Sequence, residues 1–235
     1  MKKYFLLIFL FLGIMVSSYA QTVKNELVDS SRFDKKWLRG GSFQSLWTKF
    51  IGNDLPADYF FKPSVGGNLL TEYHPNEKFG FGAGIGFQNR GAGRFTPDYD
   101  KSLGNADSTH RAHYRMRSIE VPIYAIYKSP IKNSQQVRFS AKVGAIYSWK
   151  MRTSFIFHSV EDGFHEIENL SKDFYRSQLL LNGSFGIDIN AGDAAIFQIH
   201  LMLQQGAGNV FNNPTSFGLS KGYDRAFGIQ LGFLY

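Results

Sequence analysis

The stretch Tyr223-Asp-Arg-Ala-Phe-Gly-Ile-Gln-Leu-Gly-Phe-Leu-Tyr235 decides how the rest of the chain is read. Its odd positions carry Tyr223, Arg225, Phe227, Ile229, Leu231, Phe233 and Tyr235. Its even positions carry Asp224, Ala226, Gly228, Gln230, Gly232 and Leu234. One face is apolar and aromatic; the other is mostly small or polar. Successive side chains alternate across a strand, so this period of two predicts a β-strand. The chain stops inside that strand, on an aromatic residue. A soluble sandwich or lipocalin-like barrel would turn the apolar face inward. A membrane barrel would turn it outward.

The same split recurs upstream. Phe79, Phe81, Ala83, Ile85 and Phe87 alternate with a glycine row at 80, 82, 84 and 86, then Gln88. Ile119, Val121, Ile123, Ala125 and Tyr127 form one face of a third segment, and Val137 to Trp149 repeats the pattern. Leu179 to Ile189 and Phe197 to Leu203 follow it too. Two weaker segments, about 37–50 and 60–73, bring the predicted count to eight. The connections His74 to Lys78, Ser129 to Gln136 and Ala191 to Asp193 are short. Those at about 51–59, 96–112, 156–174 and 207–222 are longer. Short and long alternate, as periplasmic turns and extracellular loops do in transmembrane barrels.

Three features favour the inside-out arrangement. Glu120, Lys142 and Asp188 sit at mid-strand on the polar face, beside glycines. Tyr73, Phe79, Phe87, Tyr127, Tyr147, Trp149, Tyr175 and Tyr235 lie near strand ends on the apolar face, where interfacial girdles form. The third is the terminal aromatic strand. The expected fold is therefore all-β: an eight-stranded antiparallel up-and-down transmembrane β-barrel with short periplasmic turns and longer extracellular loops.

Bulk properties agree. The chain has 235 residues, 43% hydrophobic and 16% aromatic, yet no mid-chain run approaches the roughly 20 apolar residues of a membrane helix. It has no cysteine, which excludes a disulfide framework, a thiolate metal site and an N-terminal lipidated Cys. The net charge is +7, but Lys and Arg are scattered among aromatics. That suits anionic headgroups and lipopolysaccharide phosphates, with no nucleic acid as partner. At the N-terminus, Lys2-Lys3, the apolar run Phe5 to Val16 and Ser18-Tyr19-Ala20 read as a signal peptide cut after Ala20. The expected division is 1–20 signal peptide, 21–36 short periplasmic tail and 37–235 barrel, placed in the outer membrane.

The segment Tyr114-Arg-Met-Arg-Ser-Ile-Glu-Val-Pro-Ile-Tyr-Ala-Ile-Tyr127, with its Ile119-Glu120-Val121-Pro122-Ile123 core, resembles the signature strand of the PorT-like outer-membrane barrels of Bacteroidota. Gly80 to Gly93 resembles that family's strand ending in a polar residue, a base and Gly; Val143 to Tyr147 resembles its Gly-aromatic strand. The likeness is specific over about 80–150. It implies an eight-stranded outer-membrane barrel, and in PorT itself a part in type IX secretion. The second long loop here is not strongly acidic and the last strands differ from the PorT pattern, so the likeness implies the broad family. Pro122 within a strand implies a bulge or bend there.

On the polar face, Glu120, Arg138, Lys142, Asp188, His200 and Gln204 are the expected lumen network. Hairpin geometry around 129–136 sets Glu120 opposite Gly144, with Lys142 diagonal to it. Eight strands leave an interior that side chains just fill, so the network reads as a structural plug rather than an ion path. The glycine row makes room for Tyr124, Ile146 or Met202. Phe227, Ile229, Leu231, Phe233 and Tyr235 form the strand the insertion machinery is expected to recognise.

Reactive residues form no catalytic pattern. His74 falls in a turn and reads as solvated. His110 and His113 have a spacing that shares a metal on a helix, but Arg111 and Arg115 flank them. His158 and His165 accompany Glu161, Asp162, Glu166 and Glu168 without the spacing of a calcium loop. No Ser, His and carboxylate are spaced for a lipid deacylase. No cofactor and no enzyme activity are expected. The chain reads as a scaffold or interaction partner whose loops meet lipopolysaccharide or another membrane protein. An accessory barrel of an envelope machine, in type IX secretion or barrel assembly, is the alternative, with a protein partner in a larger complex. A lipid-modifying enzyme stands third.

Overall fold

The computed structural model describes residues 36–52, 59–96, 110–130, 137–159, 163–190, 195–212 and 221–235. The leader and all of the tail but Lys36 lie outside them. Eight strands form the wall: β1 (Trp37–Ile51), β3 (Lys62–Tyr73), β4 (Phe79–Arg90), β6 (His110–Lys128), β7 (Val137–Ser159), β9 (Ser177–Asn190), β10 (Ile196–Gly206) and β11 (Tyr223–Leu234). Each pairs antiparallel with the next, and β11 returns to β1. The fold is a closed eight-stranded antiparallel barrel.

Three further strands lie beyond the ring at the loop end: β2 (Tyr59–Phe60), β5 (Gly93–Thr96) and β8 (Gly163–Asn169). β5 pairs with the start of β6, β2 with β5, and β8 with the end of β7. The β6–β7 hairpin thus projects past the wall with a short strand on each side. The sequence predicts loops at 96–112 and 156–174, but β6 already begins at His110 and β7 runs to Ser159. These extensions break the clean alternation, because they leave lipid and no longer need one apolar face.

The seam between β1 and β11 runs from Gly40↔Leu234 to Ile51↔Tyr223. It is finished by Arg39 N donating to Tyr235 O at 3.0 Å and Tyr235 N donating to Arg39 O at 2.8 Å. The turn between β3 and β4 closes locally. Asn76 Oδ1 accepts from the N–H groups of Lys78 and Phe79 at 3.0 and 2.8 Å, an Asx turn.

The β6–β7 register corrects the sequence expectation. Glu120 faces Ser148, and Gly144 faces Tyr124. The hairpin closes where Ser129 N donates to Phe139 O at 2.8 Å and Phe139 N donates to Ser129 Oγ at 3.1 Å. Closure at 129/139 moves the axis toward Val137. The four-residue offset preserves every face but changes every partner. Pro122 occupies no bulge: the register shift lies at Arg117/Ser118. On its other side, the β4–β6 ladder keeps its register but skips from Ala83↔Ile123 to Gly86↔Glu120, the gap that a strand residue with no N–H to donate leaves.

The barrel is inside out. Phe139 is 73% exposed and Leu69 71%, whereas Glu120 is 1% and Asp188 0%. Trp37 packs on Tyr73 at 4.7 Å and Phe79 on Tyr127 at 5.6 Å near the terminal end. Trp47 stacks on Phe227 at 5.5 Å and Phe61 meets Phe227 at 5.0 Å near the loop end. Trp37 and Trp47 stand ten residues apart on β1. At about 3.3 Å per residue and a tilt near 40°, that separates the belts by about 25 Å, the height of an outer-membrane apolar band.

Glycine gives the lumen its room. A Cβ on Gly82 would overlap the Tyr124 ring, which lies against the bare backbone of β4. The nearest side chains to Gly80, Gly84 and Gly86 are His74, Leu70 and Asn68 rather than Ile146 or Met202. Gly82→Leu is therefore expected to abolish the heat-modifiable gel band of the folded barrel, and Gly82→Leu/Tyr124→Ala to restore it. A folded single variant, or no rescue in the double, would contradict this packing.

Candidate functional site

The lumen holds the groups that carry chemistry, in two charge clusters and an aromatic cap. The first cluster lies toward the terminal end. Lys142 Nζ donates to Glu72 Oε1 at 2.6 Å and to Gln198 Oε1 at 2.9 Å. Tyr124 OH donates to the same Glu72 oxygen at 3.3 Å. Lys128 Nζ lies 3.6 Å from Glu72 and 3.4 Å from Asp188, joining the two carboxylates. Asp188 accepts from Ser140 Oγ at 2.7 Å and Gln198 Nε2 at 3.3 Å. His200 Nε2 and Arg138 Nε stand 3.2 and 3.8 Å from it.

His74 belongs to this cluster, which corrects its reading as a solvated turn residue. It is only 6% exposed. Its Nε2 lies 3.2 Å from Glu72 Oε2 and 3.1 Å from Lys128 Nζ. One ring nitrogen can accept from the lysine or donate to the carboxylate, not both at once. The ring turns inward because Gly80 beside it has no side chain.

The second cluster lies toward the loops and is centred on Arg90. Its Nε donates to Glu120 Oε1 at 2.6 Å and Nη2 to Glu120 Oε2 at 3.4 Å, a two-pronged pair. Nη1 reaches Asp224 Oδ2 at 3.5 Å, and Nη2 also donates to Gln204 Oε1. Arg90 is 2% exposed.

The sequence therefore places six residues in the lumen, and the structure sorts them into two groups. Arg138, Lys142, Asp188 and His200 come together; Glu120 and Gln204 join Arg90 instead. Lys142 is not a partner of Glu120, because the register carries it four residues further along. Sequence reasoning misses Arg90, Glu72, Lys128 and Asp224. Arg90 and Asp224 were legible as inward positions of their strands, but Arg90 draws its partners both from the adjoining β6, at Glu120, and from β11 across the lumen, at Asp224.

Above the second cluster, toward the loops, lies an apolar cap. Phe50, Ala92, Tyr114, Met116, Leu170, Phe174, Val210 and Phe211 form one buried cluster, with Phe155 packed on it. Phe50 meets Phe211 at 5.5 Å, and Phe174 meets Phe211 at 5.1 Å. A backbone bridge between Phe174 and Phe211 ties two connecting segments together.

His110 and His113 both fall on strand β6, not on the helix that their spacing would need to share a metal. The side chains of His110, His158, His165, Glu166 and Glu168, with Glu161 and Asp162 altogether, lie outside the described residues. Among the described residues no three His, Asp or Glu groups are placed to hold a metal ion. Phe227, Ile229, Leu231 and Phe233 stand on the outer face of β11 at 40–42% exposure, and Tyr235 at 61%.

Removing one member of a buried ion pair leaves the other charge uncompensated, which costs about 3–5 kcal/mol. Arg90→Met is expected to lower unfolding stability in lipid vesicles by that amount. Arg90→Met/Glu120→Gln should cost less than the sum of the single changes, since the two residues act as one unit. Additive losses in guanidinium unfolding would contradict the pairing.

No curated protein sequence matches the chain. Among solved structures it is similar to the attachment invasion locus protein Ail of Yersinia pestis, crystallised with the heparin analogue sucrose octasulfate, at 13% identity and TM-score 0.40; the match covers 86% of this chain and 100% of that one. It is similar to the outer membrane protein OprG of Pseudomonas aeruginosa at 12% identity and TM-score 0.45, covering 85% and 94%. Neisserial surface protein A is similar at 8% identity and TM-score 0.40, covering 84% and 96%. Residues 6–212 match the family described as outer membrane protein beta-barrel domain. The chain belongs to that outer-membrane β-barrel family.

Proposed function

We propose that the protein is a non-enzymatic outer-membrane barrel that serves as a scaffold or interaction partner in the Gram-negative envelope. The observation that carries this reading is the filled lumen. Two charge clusters occupy it and the Phe50–Phe174–Phe211 cluster lies at its loop end. A tube of eight strands filled in this way offers no water path. What remains for contact is the outer belt, facing lipid and lipopolysaccharide, and the projecting β6–β7 hairpin with its flanking strands.

In this reading residues 1–20 are a signal peptide cut after Ala20, and 21–36 form a short periplasmic tail. The insertion machinery engages the outer face of Phe227, Ile229, Leu231, Phe233 and Tyr235. The short turns then face the periplasm and the loops face outward. Reconstituted in planar bilayers, the barrel is expected to give no stable single-channel conductance. A steady open level would overturn the scaffold reading in favour of a pore.

A second reading is an accessory barrel of an envelope machine, among the PorT-like barrels of Bacteroidota. Its support is the Arg90–Glu120 pair. Arg90 closes the Gly80–Gly93 motif and Glu120 sits in the Ile119–Ile123 motif, so the two motifs are halves of one interaction. Purification in mild detergent separates the readings. A stoichiometric partner surviving size exclusion favours the machine; a barrel that elutes alone favours the scaffold.

A further inference from the structure

Among the described residues the wall is irregular beside β7. β7 pairs with β9 up to Trp149↔Ser177 and with β8 from Ser154↔Asn169. Between those points the segment 170–176 swings off the ladder. It is held by Lys150 N donating to Arg176 O at 2.8 Å, Leu170 N to Thr153 O at 2.9 Å and Thr153 N to Ser171 Oγ at 3.1 Å. At the same level the register shift opposite Arg117/Ser118 leaves Met151 as an extra residue on β7.

The result is a cavity of about 330 Å³. Four cations line it, Lys150, Arg152, Lys172 and Arg176, with the hydroxyls of Thr153 and Ser171. No carboxylate lines it among the described residues. Lys150 carries the observation that points to a ligand. It is 6% exposed, and its Nζ has no hydrogen-bond partner. It lies 5.6 Å from the Phe174 ring centre. The lumen charges that face it are Asp224 and Arg90; Arg90 reaches Asp224 Oδ2 at 3.5 Å, while Asp224 Oδ1, like Lys150 Nζ, makes no hydrogen bond. A buried ammonium without a hydrogen bond is costly, and an anion entering this cavity would supply one.

The level of the cavity narrows the ligand. Arg176 lies over the Trp149 ring at 5.0 Å, and Trp149 faces outward at 45% exposure in the loop-end belt. Aromatic belts sit at headgroup height. Arg and Lys together suit a phosphate, the first by its fork and the second as a point charge. We infer that the Lys150–Arg152–Lys172–Arg176 cavity binds a phosphate group on the sugar headgroup of an outer-leaflet glycolipid. This rests on the outer-membrane reading, but binding in micelles does not depend on which leaflet the site faces.

The test uses the full mature barrel, refolded in detergent micelles and checked by its heat-modifiable gel shift. It is titrated with diphosphoryl lipid A, with dephosphorylated lipid A and with inorganic phosphate, and binding is followed by native mass spectrometry. Diphosphoryl lipid A is expected to bind and the dephosphorylated form not to. Lys172→Ala/Arg176→Ala, which removes two loop cations without touching the lumen, should weaken binding by about tenfold or more. Lys150→Met should weaken it similarly where that variant keeps the gel shift. Equal binding of both lipids, or unchanged affinity in the double variant, would overturn the site. Inorganic phosphate bound as tightly as lipid A would overturn the lipid assignment. A protein lacking the gel shift would instead count against the barrel reading itself.

Discussion

The ladder between β1 and β11 is the constraint on which the rest depends. A strand edge in hydrocarbon has no water to bond, so a sheet can cross a membrane only when its first and last strands meet. Here they meet from Gly40↔Leu234 to Ile51↔Tyr223. Closure gives the wall an inside and an outside. With lipid as the outer solvent, the period-two pattern must turn Phe227, Ile229, Leu231 and Phe233 outward and leave Gln230 and Asp224 to the interior.

Closing the wall over eight strands makes the interior narrow, and that crowds the charged groups of the polar face against one another. Four carboxylates, Glu72, Glu120, Asp188 and Asp224, stand among five buried Arg and Lys side chains in the described lumen. Four of those cations make ion pairs within the two clusters. Lys150 is the fifth, and it lies where the wall is irregular. The same accounting that makes the lumen a plug therefore points to the place where the barrel can take something from outside.

Much of the architecture was legible because a membrane wall imposes a strict period. The alternation placed the strands and the short turns and faced Glu120, Arg138, Lys142, Asp188, His200 and Gln204 inward. It could not say which of them touch. Arg90 and Glu120 are 30 residues apart on adjoining strands, and Lys142 and Glu72 are 70 apart across the tube. Such pairs depend on the stagger of the whole ring. The β6–β7 register needed the closing bonds of Ser129, which composition does not reveal. His74 looked like a surface residue until Gly80 gave its ring a place. Phe174, Val210 and Phe211 sit in connections with no period, so the cap they form had no signal beyond their apolar character.

The central claim is that β11 is a membrane-wall strand with lipid on its odd face and a packed lumen on its even face. Because the chain has no cysteine, single cysteines carrying a nitroxide can be placed at each position from 227 to 233 in the bilayer-reconstituted protein. Collision rates with oxygen, which concentrates in the hydrocarbon, should be high at 227, 229, 231 and 233 and low at 228, 230 and 232. Those even positions should also resist a water-soluble nickel reagent. High nickel accessibility at the odd positions, or no alternation along the strand, would contradict the inside-out barrel.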